Sequence, residues 1–185
     1  LRAGYRIRVG SAASTAAREA LFGRFLGSIE VGEPPALRAS RQAWGLKKST
    51  QNVLDYADQL KRVGDHSALE EILAQAVEKG PPARRNARRR WHRILRERLT
   101  LWRARPHLSS ASGSDFVRMA LREVPQDTGV QREGILWLAG QGACEEAKIA
   151  FSAFQTLRPT ASAASGIDEG LKELCRGMEF RVDHP

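Results

Sequence analysis

Between Ser49 and Pro82 apolar residues return every three or four positions, the spacing of one helix face, and glycine and proline cut the run in two. Val53, Tyr56, Ala57, Leu60 and Val63 make the first stripe, which Gly64 interrupts. Ser67 with Glu70 then reads as a capping box ahead of Ala68, Ile72, Leu73 and Ala76, and Gly80, Pro81 and Pro82 stop the second piece. The pattern predicts a helical hairpin. Residues 134 to 159 repeat the grammar: Leu138 precedes Gly142, Ala147, Phe151 and Leu157 follow it, and Pro159 ends the run. Gly170 and Gly177, with Ile167, Leu171 and Leu174 as a stripe, begin a shorter closing unit. Ahead of the breaker run Gly32, Glu33, Pro34 and Pro35, the set Ala17, Leu21, Phe22, Phe25 and Leu26 predicts one short amphipathic helix ending at Gly27.

Residues 83–105 contain no glycine or proline and predict a single helix of about six turns. At about 100° per residue, Leu101, Ile94, Ala87, Trp91, Trp102, Leu95 and Leu99 fall on one side of it. Arg85, Arg89, Arg90, Arg93, Arg96 and Arg103 fall on the other. The helix therefore has a face to bury against the hairpins and a ridge of guanidinium groups opposite. Arg98 intrudes near the middle of the apolar side and Arg84 at its end; a buried arginine needs a carboxylate or carbonyl, so Arg98 reads as a structural pair.

Superimposing Gly64 on Gly142 places Leu60 on Leu138, Leu69 on Ala147, Leu73 on Phe151, Ala76 on Phe154 and Pro81 on Pro159. This spacing of glycine, apolar steps and final proline resembles tetratricopeptide repeats. Gly64 through Gly80, with Ile72, Leu73 and Lys79 between, is similar to the related pentatricopeptide repeats. The resemblance implies stacked pairs of antiparallel helices. The expected fold is all-α: antiparallel helical hairpins, repeat-like in character, with a central arginine-rich amphipathic helix. A basic leader with its short helix occupies residues 1–40, and the helical-hairpin domain, with the basic helix 83–105 inside it, residues 41–185.

Charge changes this picture from a scaffold to a scaffold with a partner. From Arg84 to Arg105 ten of twenty-two residues are arginine and only Glu97 is acidic, so the segment carries +9. The whole chain has 30 basic and 21 acidic residues, also +9, which leaves 20 against 20 elsewhere. A solvated helix face normally alternates charge signs so that neighbours attract; this one repels itself, and a polyanion relieves the repulsion. The segment uses no lysine, and arginine grips phosphate with a planar fork and stacks on exposed bases. The reading is a non-catalytic RNA-binding protein, a subunit of a larger ribonucleoprotein, contacting RNA through Arg85, Arg89, Arg90, Arg93, Arg96 and Arg103. RNA stands ahead of DNA because the helical frame resembles pentatricopeptide proteins, and no helix-turn-helix, zinc-finger or RNA-recognition signature marks a base-specific reader. Other polyanions remain open as partners.

Three other readings compete. A tetratricopeptide-like adaptor would hold a peptide or partner subunit on its concave surface, with the arginines meeting an acidic neighbour. A basic amphipathic helix bearing Trp91 and Trp102 could lie on an anionic membrane or enter a calmodulin-type groove. An enzyme finds little support: His66, His92, His107 and His184 have no metal-ligand spacing, and neither a phosphate loop nor a nucleophile elbow occurs. No cofactor is expected. Glu70 with Glu71, and Glu145 with Glu146, are adjacent carboxylates that read as first-turn residues complementing a helix dipole. His92 reads as a surface residue kept neutral by its arginine neighbours, and Trp44 and Trp137 as packing.

Cys144 and Cys175, 31 apart, match neither a disulfide framework nor a zinc pattern, so they read as small core residues in a reducing, intracellular compartment. Residues 1 to 18 hold Arg2, Arg6, Arg8 and Arg18 without an acid and are rich in Ala, Ser and Thr, which reads either as a basic, loosely ordered leader before a helix or, from a composition similar to organellar transit peptides, as an address to a mitochondrion or plastid. Apolar runs are only a few residues long, far short of the roughly 20 that a membrane span needs.

Overall fold

Short polar side chains and glycines punctuate the chain into helices. The computed structural model describes residues 33–109, 113–157 and 160–176. The leader, the stripe at residues 17–26 and Gly177 lie outside the described residues. Among those residues the protein is all-α, without a strand: α1 (Pro35–Leu46), α2 (Thr50–Val63), α3 (His66–Glu78), α4 (Arg85–Ala104), α5 (Gly113–Glu123), α6 (Thr128–Gly140), α7 (Cys144–Thr156) and α8 (Ala161–Cys175). A 3₁₀ turn, Pro106–Leu108, follows α4. Residues from Ala36 onward group into one compact unit, and α1 runs across residue 40.

The two expected turns close in the same way. Gly64 and Gly142 have φ of 78° and 85°, the left-handed region that a side chain resists. Asp65 N–H donates to Leu60 C=O at 3.0 Å and Gly64 N–H to Lys61 C=O at 3.2 Å; Ala143 and Gly142 donate to Leu138 and Ala139 in the same register, both at 3.0 Å. Each is a Schellman closure, in which glycine at the left-handed position lets the next helix begin at once. At the superimposed positions, Leu60, Leu69, Leu73 and Ala76 are buried, as are Leu138, Ala147, Phe151 and Phe154.

Two helices form the spine. α4 packs on α2, α3 and α6, while α6 packs on α4, α5, α7 and α8. Trp91, Ile94, Leu95, Leu99 and Trp102 of α4 are almost wholly buried, at 2% exposure or less. The Trp102 ring packs against Phe116 at 4.9 Å and Trp137 at 5.8 Å between centroids, in the edge-on and tilted geometries that aromatic quadrupoles favour. Trp44 is buried too, with Lys48 and Lys79 over its ring at 5.5 and 5.0 Å.

Several local expectations are corrected. The cap of α3 is Asp65, whose Oδ1 accepts from Ala68 N–H at 3.0 Å, because the Gly64 turn makes Asp65 the last residue before the helix. Ser67 is consequently a first-turn residue, and Glu70 lies beyond the first turn, turned towards α4. Val63, Leu157 and Leu174 are 45%, 46% and 39% exposed, since each stands at the end of its stripe where no neighbouring helix covers it. Gly170 sits inside α8, close against Leu136 of α6, and starts no new unit. Cys144 and Cys175 form a disulfide between the first residue of α7 and the last of α8. Far apart in sequence, their Cα atoms come to 5.9 Å because α8 packs back along α7. The reducing-compartment reading loses its premise of two free thiols.

Candidate nucleic-acid interface

Docking of the apolar arc fixes the rotation of α4, and with it where each arginine points. Along the body of the helix the scaffold supplies carboxylates. Arg93 Nη2 lies 3.3 Å from both oxygens of Asp58 on α2, and its Nε lies 3.5 Å from Glu97 Oε1. Lys61 of α2 pairs with the other Glu97 oxygen. Arg103 Nη1 donates to Glu133 Oε2 on α6 at 2.7 Å. Arg98, 11% exposed, donates from Nε and Nη2 to Glu70 Oε1 at 2.8 and 2.6 Å, as its intrusion on the apolar side predicts, and its guanidinium lies over the rings of Trp102 and Phe116 at 4.6 and 4.4 Å.

The amino-terminal end of α4 is different. Its first buried residue is Trp91, and of the helix residues before it only Ala87 is partly covered. Arg84, Arg85, Arg88, Arg89 and Arg90 are exposed there and form no ion pair with any described residue. Arg84 is the N-cap and makes no side-chain capping bond, and the first turn contains no acid. Five guanidinium groups therefore crowd the end of the helix where unpaired N–H groups and the aligned peptide dipoles are already positive. That arrangement opposes folding of the first turns and favours any bound anion.

The six arginines expected on one ridge thus divide. Arg85, Arg89 and Arg90 come together in the unpaired cluster. Arg93 and Arg103 are held by carboxylates. Arg96 is exposed and unpaired among the described residues, its stem laid across the start of α6 so closely that a Cβ at Gly129 would stand 2.5 Å from its Cδ. The expectation missed Arg84 and Arg88, whose angles place them on the apolar arc; they are exposed because that arc runs past the end of the bundle. It also missed Lys48 and Lys79 on Trp44. Residues 80–83 alone separate Lys79 from Arg84, which keeps their Cα atoms within about 18 Å.

His92 departs from its expected surface setting: it is half-buried against Trp91, with Nδ1 3.7 Å from Oδ2 of Asp127, the cap of α6. Asp127 extends from α6 towards α4, which a wheel of α4 alone cannot register. Glu145 and Glu146 do lie in the first turn of α7. No cluster of His, Cys, Asp and Glu among the described residues has the makings of a metal site, and no helix among them is long and apolar enough to cross a membrane. Set against family models, curated proteins and solved structures, the chain matches none.

Proposed function

We propose that this protein binds single-stranded RNA without catalysing a reaction, through the amino-terminal turns of α4, as one subunit of a larger ribonucleoprotein. The observation that carries the reading is the division of charge along that helix. Arg93, Arg98 and Arg103 are neutralised by Asp58, Glu97, Glu70 and Glu133, whereas Arg84, Arg85, Arg88, Arg89 and Arg90 are left uncompensated and exposed. A fold that supplies acids to Arg93, Arg98 and Arg103 in the body of the helix, sparing only Arg96 there, and none to its amino-terminal end leaves that end for a ligand of opposite charge. Guanidinium forks suit phosphate oxygens, and their planes stack on unpaired bases, which favours single strands over duplex. Lys48 and Lys79 extend the positive surface.

The test is the salt dependence of binding to a single-stranded RNA. Each phosphate neutralised contributes roughly 0.7 to the slope of log K against log salt for a single strand. Replacing Arg85, Arg88, Arg89 and Arg90 by Gln should weaken binding and flatten the slope by about 3 if all four contact phosphates. The Arg93→Gln/Arg103→Gln protein should keep most of the slope. A quadruple variant with unchanged slope and affinity excludes this end of α4 from the site, and duplex DNA or anionic vesicles bound more tightly than RNA would redirect the assignment to those partners.

A further inference from the structure

On the other side of α6 a groove remains open. α5 and α7 each pack on α6 and stand apart as two walls, with a cavity of about 650 Å³ between them. Gln131 and Leu138 line its floor, Leu121 one wall, and Ile149, Phe154 and Leu157 the other. Phe154 is buried, but Ile149 is 70% and Leu157 46% exposed, so the groove carries its apolar character out onto the rim. From Glu146 to Leu157 the α7 wall runs about 16 Å, three turns of helix.

The polar groups of this groove are unevenly satisfied. At one end Arg118 crosses from α5 to α7, where its Nε and Nη2 donate to the two oxygens of Glu146 at 2.5 and 2.9 Å, and its Nη1 reaches Asp115 at 3.3 Å. One guanidinium thereby accounts for both acids of the lining. Arg122, one turn further along the same wall, is exposed and has no ion pair among the described residues. On the floor Gln131 is only 4% exposed, and its amide donates to the carbonyls of Leu121 and Val124 at 2.9 and 3.3 Å. The groove thus offers an apolar trough and one uncompensated positive charge.

We infer that the α5–α6–α7 groove is a docking site for an amphipathic helix of a partner protein, apolar on the docked face and carrying an acidic residue at the flank that meets Arg122. Width and length favour a helix: two helical walls over a helical floor leave the place of a fourth helix, and the exposed rim residues need an occupant broad enough to cover them. The uncompensated charge sets the sign of the partner's flank. This site does not rest on the RNA reading, because α4 contributes nothing to the groove lining.

The experiment uses a fluorescent helical peptide with leucines at i, i+3, i+4 and i+7 and one flanking glutamate, against a control of the same composition with the leucines dispersed. The intact chain should bind the first peptide saturably and the control at least roughly tenfold more weakly. Ile149→Glu/Leu157→Glu, both at exposed positions, should leave the melting temperature unchanged and reduce binding by at least about tenfold. Arg122→Glu should weaken binding, and a peptide with lysine in place of its glutamate should restore it. Absence of saturable binding, or binding indifferent to the Ile149/Leu157 change, overturns the proposal. So does a dimer in sedimentation that the Ile149/Leu157 change dissociates, which would make a second copy the occupant, and so does saturable uptake of oleate by a groove that ignores the peptide.

Discussion

Arg98 on α4 donates two hydrogen bonds to a single oxygen of Glu70 on α3 while its guanidinium lies against the Trp102 ring. The pair is what lets an arginine occupy the apolar side of α4 at all: the carboxylate meets its charge and the rings meet its flat faces. Glu70→Ala would leave that cation nearly buried and uncompensated, which costs about 3 to 5 kcal/mol. The double change Glu70→Leu/Arg98→Met removes both charges and should recover most of the loss. Urea denaturation of the two variants decides it, and a Glu70→Ala protein within about 0.5 kcal/mol of the parent would mean that the pair contributes nothing.

Trp91 and Trp102 are 2% and 0% exposed and share the docked arc of α4. Truncating each to alanine should cost about 3 to 5 kcal/mol, and a protein of this size has about 5 to 15 kcal/mol in all. The double variant should be largely unfolded by circular dichroism at room temperature. Replacing Arg85, Arg88, Arg89 and Arg90 by Gln, in contrast, should raise the melting temperature slightly, because mutual repulsion at the positive end of the helix is removed. A cooperative native melt from the double tryptophan variant would show that this arc does not hold the bundle together.

The Cys144–Cys175 disulfide closes a loop containing the whole of α7 and α8. Chain-entropy arguments give a cross-link of this span about 3 to 4 kcal/mol. Cys144→Ser/Cys175→Ser should lower the denaturation midpoint accordingly, and reductant should shift the parent to the same midpoint without affecting the variant. If reductant leaves the parent unchanged, the cross-link does not constrain the unfolded chain.

How far the sequence discloses the fold depends on what kind of interaction set each feature. The buried arc of α4 is legible because a helix with one apolar side has a single way to dock, and the turns at Gly64 and Gly142 because glycine followed by a new apolar run needs the left-handed conformation. Local chemistry was less legible: Ser67 matches a capping box by composition, but the register of the Gly64 turn gives the role to Asp65. Residues 113–123 have a stripe short enough to escape notice and depend on α6 for burial. The site is legible only as a class. A wheel of α4 cannot foresee that α2 and α6 bring Asp58 and Glu133 to Arg93 and Arg103, nor that the bundle ends before Arg88. The disulfide is hidden for the same reason: the proximity of Cys144 and Cys175 is a product of how α8 packs on α7.

The Arg118–Glu146 bridge makes the mouth of the groove sensitive to acid. The hydrogen bonds from Arg118 chiefly, and its charge in addition, hold the Glu146 carboxyl below the ordinary glutamate range, while partial burial acts the other way. A carboxyl whose folded pKa is depressed adds stability that is fully present above its unfolded value, about 4.3, and is lost as pH falls through the folded value. The tie between α5 and α7 should therefore hold through mildly acidic solution and release only below the range in which exposed glutamates protonate. An NMR titration of side-chain carboxyl carbons should place the Glu146 midpoint beneath the ordinary glutamate range, and Arg118→Gln should move it up towards that range. Because Arg118 is well exposed, the accompanying change in global stability should be small and should shrink further in high salt. A Glu146 midpoint already within the ordinary glutamate range in the parent would show that the bridge across the groove does not persist in solution.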